Sequence, residues 1–152
     1  CLVGSEMCIR DRMLDFILGQ KKAAAQQKNI EFDIWSSAML KLPLSDGDIS
    51  VLFGNLLDNA IEACERMEKG RRWIALRLEK QEQLFFIEIT NSMSRPPMIK
   101  NGEMLTMKGN KTIHGYGMKS IERMVDKYGG VMSVETETDM FKINIAFFKT
   151  EI

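Results

Sequence analysis

Three asparagines and two glycines are the residues of this chain whose types and spacing suit the binding of a charged ligand. Asn55 and Asn59 lie four residues apart in a segment of helical periodicity, so they share one edge of its apolar face. A buried carboxamide without hydrogen bonds costs about 1–3 kcal/mol, so both amides need buried polar groups, water, a metal or a ligand. Asn91 ends a strand-like segment, and Gly115 and Gly117 precede another helical segment. Glycines at a helix start let backbone N–H groups approach phosphate oxygens.

A long central helix must position the first two asparagines. We predict that it begins near Asp46, with Ser45 as its N-cap and Asp48 as an imperfect capping-box partner. It is predicted to end with Lys69 in its last turn and Gly70 just beyond. Its apolar residues recur at the three-and-four spacing of one buried face, and they are Ile49, Leu52, Phe53, Leu56, Leu57, Ala60, Ile61 and Cys64.

The other elements follow from their apolar periods. One helix is predicted at 13–27, and another is opened by the motif at 114–120 and ends at Gly129-Gly130. Strands are predicted at 30–34, at 73–79 and 85–91 as a hairpin, and at 131–136 and 140–148. If the alternation of the second hairpin strand continues to Asn91, this residue lies on the same face as Phe85, Ile87 and Ile89. A third amide is therefore expected to face the helices. Residues 92–113 show no sustained period and are predicted to be a long loop that acts as a lid. One mixed sheet with helices on one face, an α/β (α+β) two-layer sandwich, fits this order.

Composition excludes several classes of protein. The chain has 152 residues, 45% of them hydrophobic, which suits one globular domain. Its 21 basic and 21 acidic residues balance, so no surface for nucleic acid or anionic lipid is expected. No apolar run approaches the roughly 20 residues that span a bilayer, and no signal peptide is evident. Its three cysteines lack CxxC spacing, and Cys64 lies on an apolar helix face, which indicates a reduced, cytosolic protein.

The motifs, taken in order, resemble one known family. They are NLLDNAIEA at 55–63, a strand ending in Asn91, a lid, HGYGMKS at 114–120 and DKYGG at 126–130. Together they resemble the GHKL ATP-binding domains, specifically the catalytic domain of sensor histidine kinases, and among these the agr-type quorum-sensing receptor kinases. The resemblance covers about residues 30–148 and implies a Bergerat-type ATP-binding fold, with ATP and Mg²⁺ as ligands. Each motif alone is weak, whereas their order is specific.

The resemblance implies roles for the two helical amides. Asn59 matches the position that holds the metal, and its amide oxygen suits hard Mg²⁺ beside phosphate oxygens. Asn55 matches the position where ATP-hydrolysing relatives place a glutamate as general base, and it would help to organise the metal and phosphates. An amide cannot accept a proton at neutral pH, so Asn55 favours a kinase over an ATPase.

The glycines and their neighbours match the family's second glycine box. Gly115 and Gly117 would let backbone N–H groups and the positive end of the helix dipole approach the phosphates. Lys108 and His114 lie before or within this motif and would add charge to the phosphate site, although lid lysines are more often only solvated. Met118 follows the box, and we assign it to the nucleotide site and to the core face of its helix.

The first glycine box is where this chain departs from the family. Most histidine kinases carry Asp-x-Gly-x-Gly here, and the Asp bonds the adenine amino group, whereas Asn91 is followed by Ser92, Met93 and Ser94. An asparagine oxygen accepts the same N–H but loses a charge-assisted bond, about 1–2 kcal/mol. Agr-type relatives commonly carry this asparagine. Another purine in place of adenine, and weak binding, both stay open at this point.

Three segments and a set of partners are expected. Residues 1–12 resemble a translated sequencing-adapter peptide and are expected to be an artefact. Residues 13–28 are expected to be the tail of the dimerisation helix and residues 29–152 the catalytic domain. His114 is the only histidine, so the phosphoacceptor would lie on a dimerisation domain absent from this sequence. The partners that the resemblance implies are that domain and a response regulator of LytTR type. It also implies a homodimer only in the full-length, membrane-anchored protein, with this domain in the cytoplasm.

Two other functions stay open. The first is a GHKL ATPase that hydrolyses ATP to drive conformational change, against which the amide of Asn55 argues. The second is a docking module without nucleotide, which the missing first glycine box would suit.

Overall fold

The computed structural model describes residues 12–37, 41–94, 98–100, 103–105 and 116–148. Its helices are α1 (Arg12–Gln27), α2 (Asp46–Glu65) and α3 (Tyr116–Lys127). Its strands are β1 (Glu31–Ser36), β2 (Trp73–Gln81), β3 (Leu84–Ser92), β4 (Met98–Lys100), β5 (Glu103–Leu105), β6 (Val131–Glu137) and β7 (Met140–Phe148). No helix within the described ranges is long and apolar enough to cross a membrane.

One five-stranded sheet in the order β1-β2-β3-β7-β6 forms the base of the fold. β1 pairs with β2 in parallel, and the other neighbours are antiparallel. Every second residue of the central strands is buried, as period-two alternation requires. These inward residues are Ile74, Leu76, Leu78, Phe85, Ile87, Ile89, Phe141, Ile143, Ile145 and Phe147. The helices cover this face, which confirms the predicted two-layer sandwich.

The start of α2 is capped as predicted. The Ser45 side chain accepts a hydrogen bond from the Asp48 backbone N–H at 3.2 Å. The eight apolar residues that define the predicted face of α2 are all buried. One polar stripe of the helix is therefore left beside this face, and it carries both asparagines.

The predicted end of α2 was wrong. The helix ends at Glu65, four residues before Lys69, and the chain enters a tight turn there. The Met67 backbone N–H bonds the Cys64 carbonyl oxygen at 3.1 Å, and the Met67 side chain turns into the core. Gly70, with φ of 96°, belongs to the following turn and does not cap the helix.

The helix α1 packs along α2. Its residues Leu14, Ile17, Leu18 and Ala25 are buried. Two ion pairs join the helices at their rims: Lys21 lies 2.6 Å from Asp58, and Lys28 lies 2.7 Å from Glu65. Exposed pairs of this kind contribute little, so the buried apolar side chains hold α1 in place.

The prediction of a loop over residues 92–113 needs correction. β3 runs through Ser92, and β4 pairs with β5 as a small antiparallel hairpin. Strands of three residues are too short for alternation to reveal them in the sequence. Residues 106–113, the rest of the expected lid, lie outside the described residues.

The glycine pair after α3 has two separate roles. Gly129 has a φ of 66°, and the Gly130 N–H bonds the Val125 carbonyl oxygen at 2.9 Å, which confirms the predicted C-cap. A Cβ added to Gly130 would lie 2.6 Å from the carbonyl oxygen of Ala146 and 2.8 Å from Phe147. The chain therefore passes β7 too closely for any side chain at this position.

We expect Gly130→Ala to lower the free energy of unfolding by about 1–3 kcal/mol, because backbone must shift to admit the methyl group. Urea denaturation followed by circular dichroism measures this. Gly54→Ala in α2 is the matched control, because no atom other than its chain neighbours and its own helix backbone lies within 4 Å of its added Cβ. There alanine should stabilise the helix by about 0.5–1 kcal/mol. Equal effects of the two substitutions would contradict this reading of Gly130.

A polar cluster joins the end of α3 to the start of α2. The Tyr128 hydroxyl donates a hydrogen bond to the Asp48 carboxylate, and Lys127 lies 2.9 Å from the same carboxylate. The Ser45 backbone N–H donates to the Tyr128 oxygen at 3.2 Å. The Tyr128 ring packs edge-on against Phe147, with centroids 6.1 Å apart. The hydrogen bond from Tyr128, and next the one from Lys127, lower the pKa of Asp48 below 3.8.

This lowered pKa predicts a dependence of stability on pH. A carboxylate with a depressed folded-state pKa stabilises the protein above its unfolded value of 3.8, and this stabilisation is lost as the pH falls through the lower folded value. Asp48→Asn should therefore lower the melting temperature near neutral pH and match the wild type in acid. Thermal denaturation of both proteins across this range checks the result. A difference in melting temperature that stays constant with pH would show that the charge of Asp48 is irrelevant.

Candidate functional site

Two predicted site residues approach each other where α3 begins against α2. Asn59 is half-buried on α2, and a Cβ added to Gly117 would lie 2.9 Å from its side-chain oxygen. The absence of a side chain at Gly117 thus leaves room for this amide. The Asn59 amide makes no hydrogen bond to any of the residues described, so its oxygen is open to a ligand.

Asn55 lies one helical turn before Asn59 on the same edge of α2. Its side-chain N–H donates to the Val51 carbonyl oxygen at 2.9 Å. This bond fixes the orientation of the amide, because reversing it would bring two oxygens together. The Asn55 side-chain oxygen therefore faces away from its own helix as an acceptor, and the two amides present two oxygens along one edge.

A small cavity opens beside Asn59. It has a volume of about 30 Å³, and its lining residues are Asn59, Glu62, Ala63, Arg66, Met93, Met118 and Phe141. This is room for about one water molecule. Two of the lining residues are methionines, whose unbranched, flexible side chains adapt readily to a new shape. We therefore expect the cavity to widen when Met93 or Met118 changes rotamer.

Some of these lining residues were not predicted as site residues. Arg66 lies seven residues after Asn59, a helical spacing that could have placed it on the same stripe. Met93 lies two residues after Asn91, so period two could have placed it on the inward face. Phe141 was predicted only as core, and its place opposite Asn91 in the β3–β7 pairing needs the strand register.

The side chains of Glu62 and Arg66 place one negative and one positive charge at the mouth of the cavity. Their closest side-chain atoms are 3.9 Å apart, and both side chains are largely exposed. Such a pair is weak in water and is easily rearranged. Arg66 is thus available to bind an anionic ligand at the cavity mouth. The carboxylate of Glu62 is likewise available to accept a hydrogen bond from a hydroxyl group of a ligand.

Asn91 is a buried amide at the inner end of β3, as period two predicted. Only 4% of its surface is exposed. Its side-chain N–H donates to the Ser92 carbonyl oxygen at 2.9 Å, while its side-chain oxygen accepts no hydrogen bond from the residues that the structure describes. A buried acceptor left in this state costs free energy unless a ligand or water satisfies it.

Ser92 and Cys64 form the surroundings of this amide. The Ser92 hydroxyl oxygen accepts a hydrogen bond from the Trp73 backbone N–H at 2.9 Å, and the Cys64 sulfur lies 3.5 Å from the same oxygen. Burial raises the pKa of the Cys64 thiol, which therefore stays protonated and can donate. The three residues join the end of β3 to β2 and to α2.

The predicted site residues are brought together in part. Asn59 and Met118 line the same cavity, and Gly117 lies against Asn59. Asn91 pairs in register with Phe141, which also lines this cavity. Lys108, His114 and Gly115 lie outside the described residues. Among the residues that are described, no group of three or more His, Cys, Asp or Glu side chains could hold a metal ion.

Comparison with known proteins gives consistent similarities. The protein-family model described as "GHKL domain" matches residues 44–148 of this chain. The sensor histidine kinase DpiB of Escherichia coli (strain K12) is 27% identical over 133 residues, which cover 82% of this chain and 24% of that protein. This chain thus spans about a quarter of the length of that curated relative.

Solved structures show the same fold. The catalytic domain of histidine kinase ThkA superposes with a TM-score of 0.72 at 18% identity, over 92% of this chain and 93% of that one. The mycobacterial sensor histidine kinase MprB superposes with a TM-score of 0.66 at 17% identity, over 92% and 95% of the two chains. At identities this low, the structural similarity is evidence for a shared fold alone.

Proposed function

The chain belongs to the GHKL domain family, and from this premise we propose that it is the ATP-binding catalytic region of a sensor histidine kinase. In this proposal it supplies the γ-phosphoryl group of ATP to a histidine on a separate dimerisation domain. The phosphoryl group then passes to an aspartate of a response regulator. The kinase relative DpiB and the likeness to kinase catalytic domains support this choice within the family.

The observation that carries the proposal is a set of three amide oxygens that accept no hydrogen bond from the described residues, and one of them, that of Asn59, belongs to a residue that lines the cavity. Those of Asn55 and Asn59 lie along one edge of α2, and that of Asn91 lies at the end of β3. A nucleotide needs both kinds of site: acceptors for the amino group of its base, and oxygens for the cation on its phosphates. The residues present therefore fit ATP.

Mg²⁺ fits the two amides of α2. Asn59, with Asn55 beside it, would hold the ion through amide oxygens, while phosphate oxygens and water would complete its shell. When bound, the ion supplies neutralisation of the phosphate charge. The protein holds both side chains on one rigid helix whose apolar face is fully buried, so the ligand atoms are preorganised.

The remaining residues would position the nucleotide and exclude water. Met93, Met118 and Phe141 offer an apolar surface to the base. Gly115 and Gly117 would admit the phosphates to the start of α3, where backbone N–H groups point outward. We include Lys108 and His114 as further cationic or polar contacts in this proposal. Asn55 holds no proton-accepting group, so nothing at this position activates water.

We extend the proposal to the whole protein. Residues 13–28, which include most of α1, would be the tail of the dimerisation helix, and residues 29–152 the catalytic domain. The buried side chains of α1 and the pair between Lys21 and Asp58 would then transmit the position of that helix to α2. The full-length kinase would be a membrane-anchored homodimer that places this domain in the cytoplasm, close to agr-type kinases, with a LytTR-type response regulator.

A phosphotransfer assay tests the proposed function. The chain is incubated with Mg²⁺ and radiolabelled ATP, alone and with a separate dimerisation domain that carries the acceptor histidine. We expect acid-labile label on the acceptor domain and none on the chain itself. Stable label on the isolated chain, or an acceptor domain that stays unlabelled with every homologous dimerisation domain tried, would contradict the proposal.

A further inference from the structure

Two contacts at opposite ends of α3 join this helix to α2. At the start of α3, a Cβ added to Gly117 would lie 2.9 Å from the side-chain oxygen of Asn59. Just after the end of α3, the Tyr128 hydroxyl donates a hydrogen bond to the carboxylate of Asp48, which lies in the first turn of α2. The two helices therefore run antiparallel, and the proposed nucleotide site lies at one end of their contact.

The spacing of the two contacts is the same on both helices. Asp48 and Asn59 are eleven residues apart, and so are Gly117 and Tyr128. At 1.5 Å per residue, each pair spans about 16 Å of helix. Because the spans are equal, one position of α3 along α2 forms both contacts, and a slip of α3 along α2 breaks both.

The Tyr128 hydroxyl group makes two hydrogen bonds to the start of α2. It donates to the Asp48 carboxylate and accepts the Ser45 backbone N–H at 3.2 Å. Ser45 and Asp48 are themselves joined, because the Ser45 side chain accepts the Asp48 backbone N–H. Lys127 lies 2.9 Å from the same carboxylate. The hydroxyl group is therefore held on two sides by the capped start of α2.

The apolar contacts of α3 are less exacting about its position along α2. Its residues Met118, Ile121 and Val125 are buried in the core, and apolar contacts have no preferred direction. A hydrogen bond to a carboxylate, in contrast, requires a short distance and a nearly linear geometry. The bond from Tyr128 to Asp48 therefore fixes the position of α3 along α2 more closely than the apolar residues do.

We propose that the Tyr128 hydroxyl and the Asp48 carboxylate are positioning groups of the nucleotide site. Their bond sets the position of α3 along α2, and with it the gap between Gly117 and the Asn59 oxygen. No side chain fits in this gap, so a small displacement of α3 changes the surroundings of that oxygen. The inference rests on the proposed function, because it concerns how the same site is held. Both residues act through their helices and not by touching the nucleotide.

Tyr128→Phe tests the inference, because it removes the hydroxyl oxygen and keeps the ring. The ring packs edge-on against Phe147, so the end of α3 stays attached to β7. We expect Mg²⁺-bound ATP to bind about tenfold more weakly than to the wild type, by calorimetry well below the melting temperature. Asp48→Asn keeps a neutral acceptor for the hydroxyl and should weaken binding about threefold. If Tyr128→Phe fails to fold, Asp48→Asn decides.

Two further measurements distinguish positioning from a general loss of stability. The first is the side-chain amide NMR signal of Asn59 in the ligand-free protein. This signal should shift in Tyr128→Phe, because Gly117 moves relative to the amide. The second is ATP binding with Mg²⁺ chelated, followed by NMR titration. Under this condition Tyr128→Phe and the wild type should agree within about twofold, because the displaced Asn59 oxygen has no ion to hold.

Ile30→Val is the matched control for stability. Ile30 is buried just before β1, which forms one edge of the sheet, whereas α3 packs against β6 at the other edge. Removing one buried methyl group should lower the melting temperature by a few degrees. The Asn59 signal and the affinity for Mg²⁺-bound ATP should stay as in the wild type.

The outcomes separate this inference from the proposed function. A wild-type chain that binds no ATP overturns both. A wild-type chain that binds ATP, with Tyr128→Phe and Asp48→Asn within about twofold of it, overturns the roles of Tyr128 and Asp48 alone. An unshifted Asn59 signal in Tyr128→Phe, an equal loss of affinity with and without Mg²⁺, or an equal loss in Ile30→Val has the same result.

Discussion

Asn59→Ala is expected to weaken the binding of Mg²⁺-bound ATP by about 100-fold while the fold stays intact. Asn59 supplies the amide oxygen at the point where α2 meets the start of α3, 2.9 Å from where a Cβ of Gly117 would lie. Loss of a metal ligand removes a direct contact, and even loss of an outer-shell partner commonly costs 10–100-fold in metal affinity. Titration calorimetry with ATP, with and without Mg²⁺, measures the effect.

The dependence on metal makes this prediction specific. In the wild type, removal of Mg²⁺ should weaken ATP binding strongly, whereas in Asn59→Ala it should make little further difference, because the two changes remove the same interaction. Asn144→Ala, an asparagine of the outer sheet face, should behave as the wild type. Affinities of Asn59→Ala and the wild type within threefold of each other would remove Asn59 from the metal site.

Asn55→Glu is expected to raise the rate of ATP hydrolysis by about 100-fold over a slow wild-type rate. Glutamate at this position would place a proton acceptor where the chain now has an amide, and general bases contribute typically 10²–10⁴-fold. The side chain is half-buried on the same edge of α2 as Asn59. Release of inorganic phosphate over time is the measurement.

Asn55→Gln is the matched control for this substitution. Glutamine has the same length as glutamate and keeps the amide, so hydrolysis should stay at the wild-type rate. A wild-type chain that already releases phosphate rapidly would favour the ATPase alternative. Equal rates in Asn55→Glu and Asn55→Gln would show that position 55 does not govern the activation of water.

Local rules predicted the parts of the site that regular elements carry. Helical periodicity placed Asn55 and Asn59 along the edge of a buried face, and Ser45 caps that helix as its residue type suggests. Period two placed Asn91 on the inward face of β3, where it is buried. These predictions succeeded because burial of one face fixes the direction of every side chain in the element.

What the sequence could not show depends on contacts between distant segments. The helix α2 ends at Glu65 and is followed by a turn in which the Met67 N–H bonds the Cys64 carbonyl oxygen and Met67 is buried, whereas Lys69 and Gly70 indicated a later end. Gly130 is required by the carbonyl oxygen of Ala146, sixteen positions further along the chain. The orientation of Asn91 likewise depends on Ser92, whose neighbours lie on other elements.

Met93 changes how the departure from the family pattern is understood. It lies two residues after Asn91, where most histidine kinases have the first glycine of their box, and it lines the cavity. With this side chain in place the cavity has a volume of about 30 Å³. The chain thus combines an oriented amide with an adaptable apolar wall, and the wall must move when a purine enters.

Calorimetric titration of the wild-type chain with ATP in the presence of Mg²⁺ tests the central claim most directly, because every role assigned to Asn55, Asn59 and Asn91 requires that ATP binds. The account predicts saturable binding to one site, with a dissociation constant below about 1 mM, that weakens when Mg²⁺ is chelated. A folded chain that gives no binding signal by calorimetry, and that shows no change in its amide NMR spectrum at millimolar ATP, would contradict it.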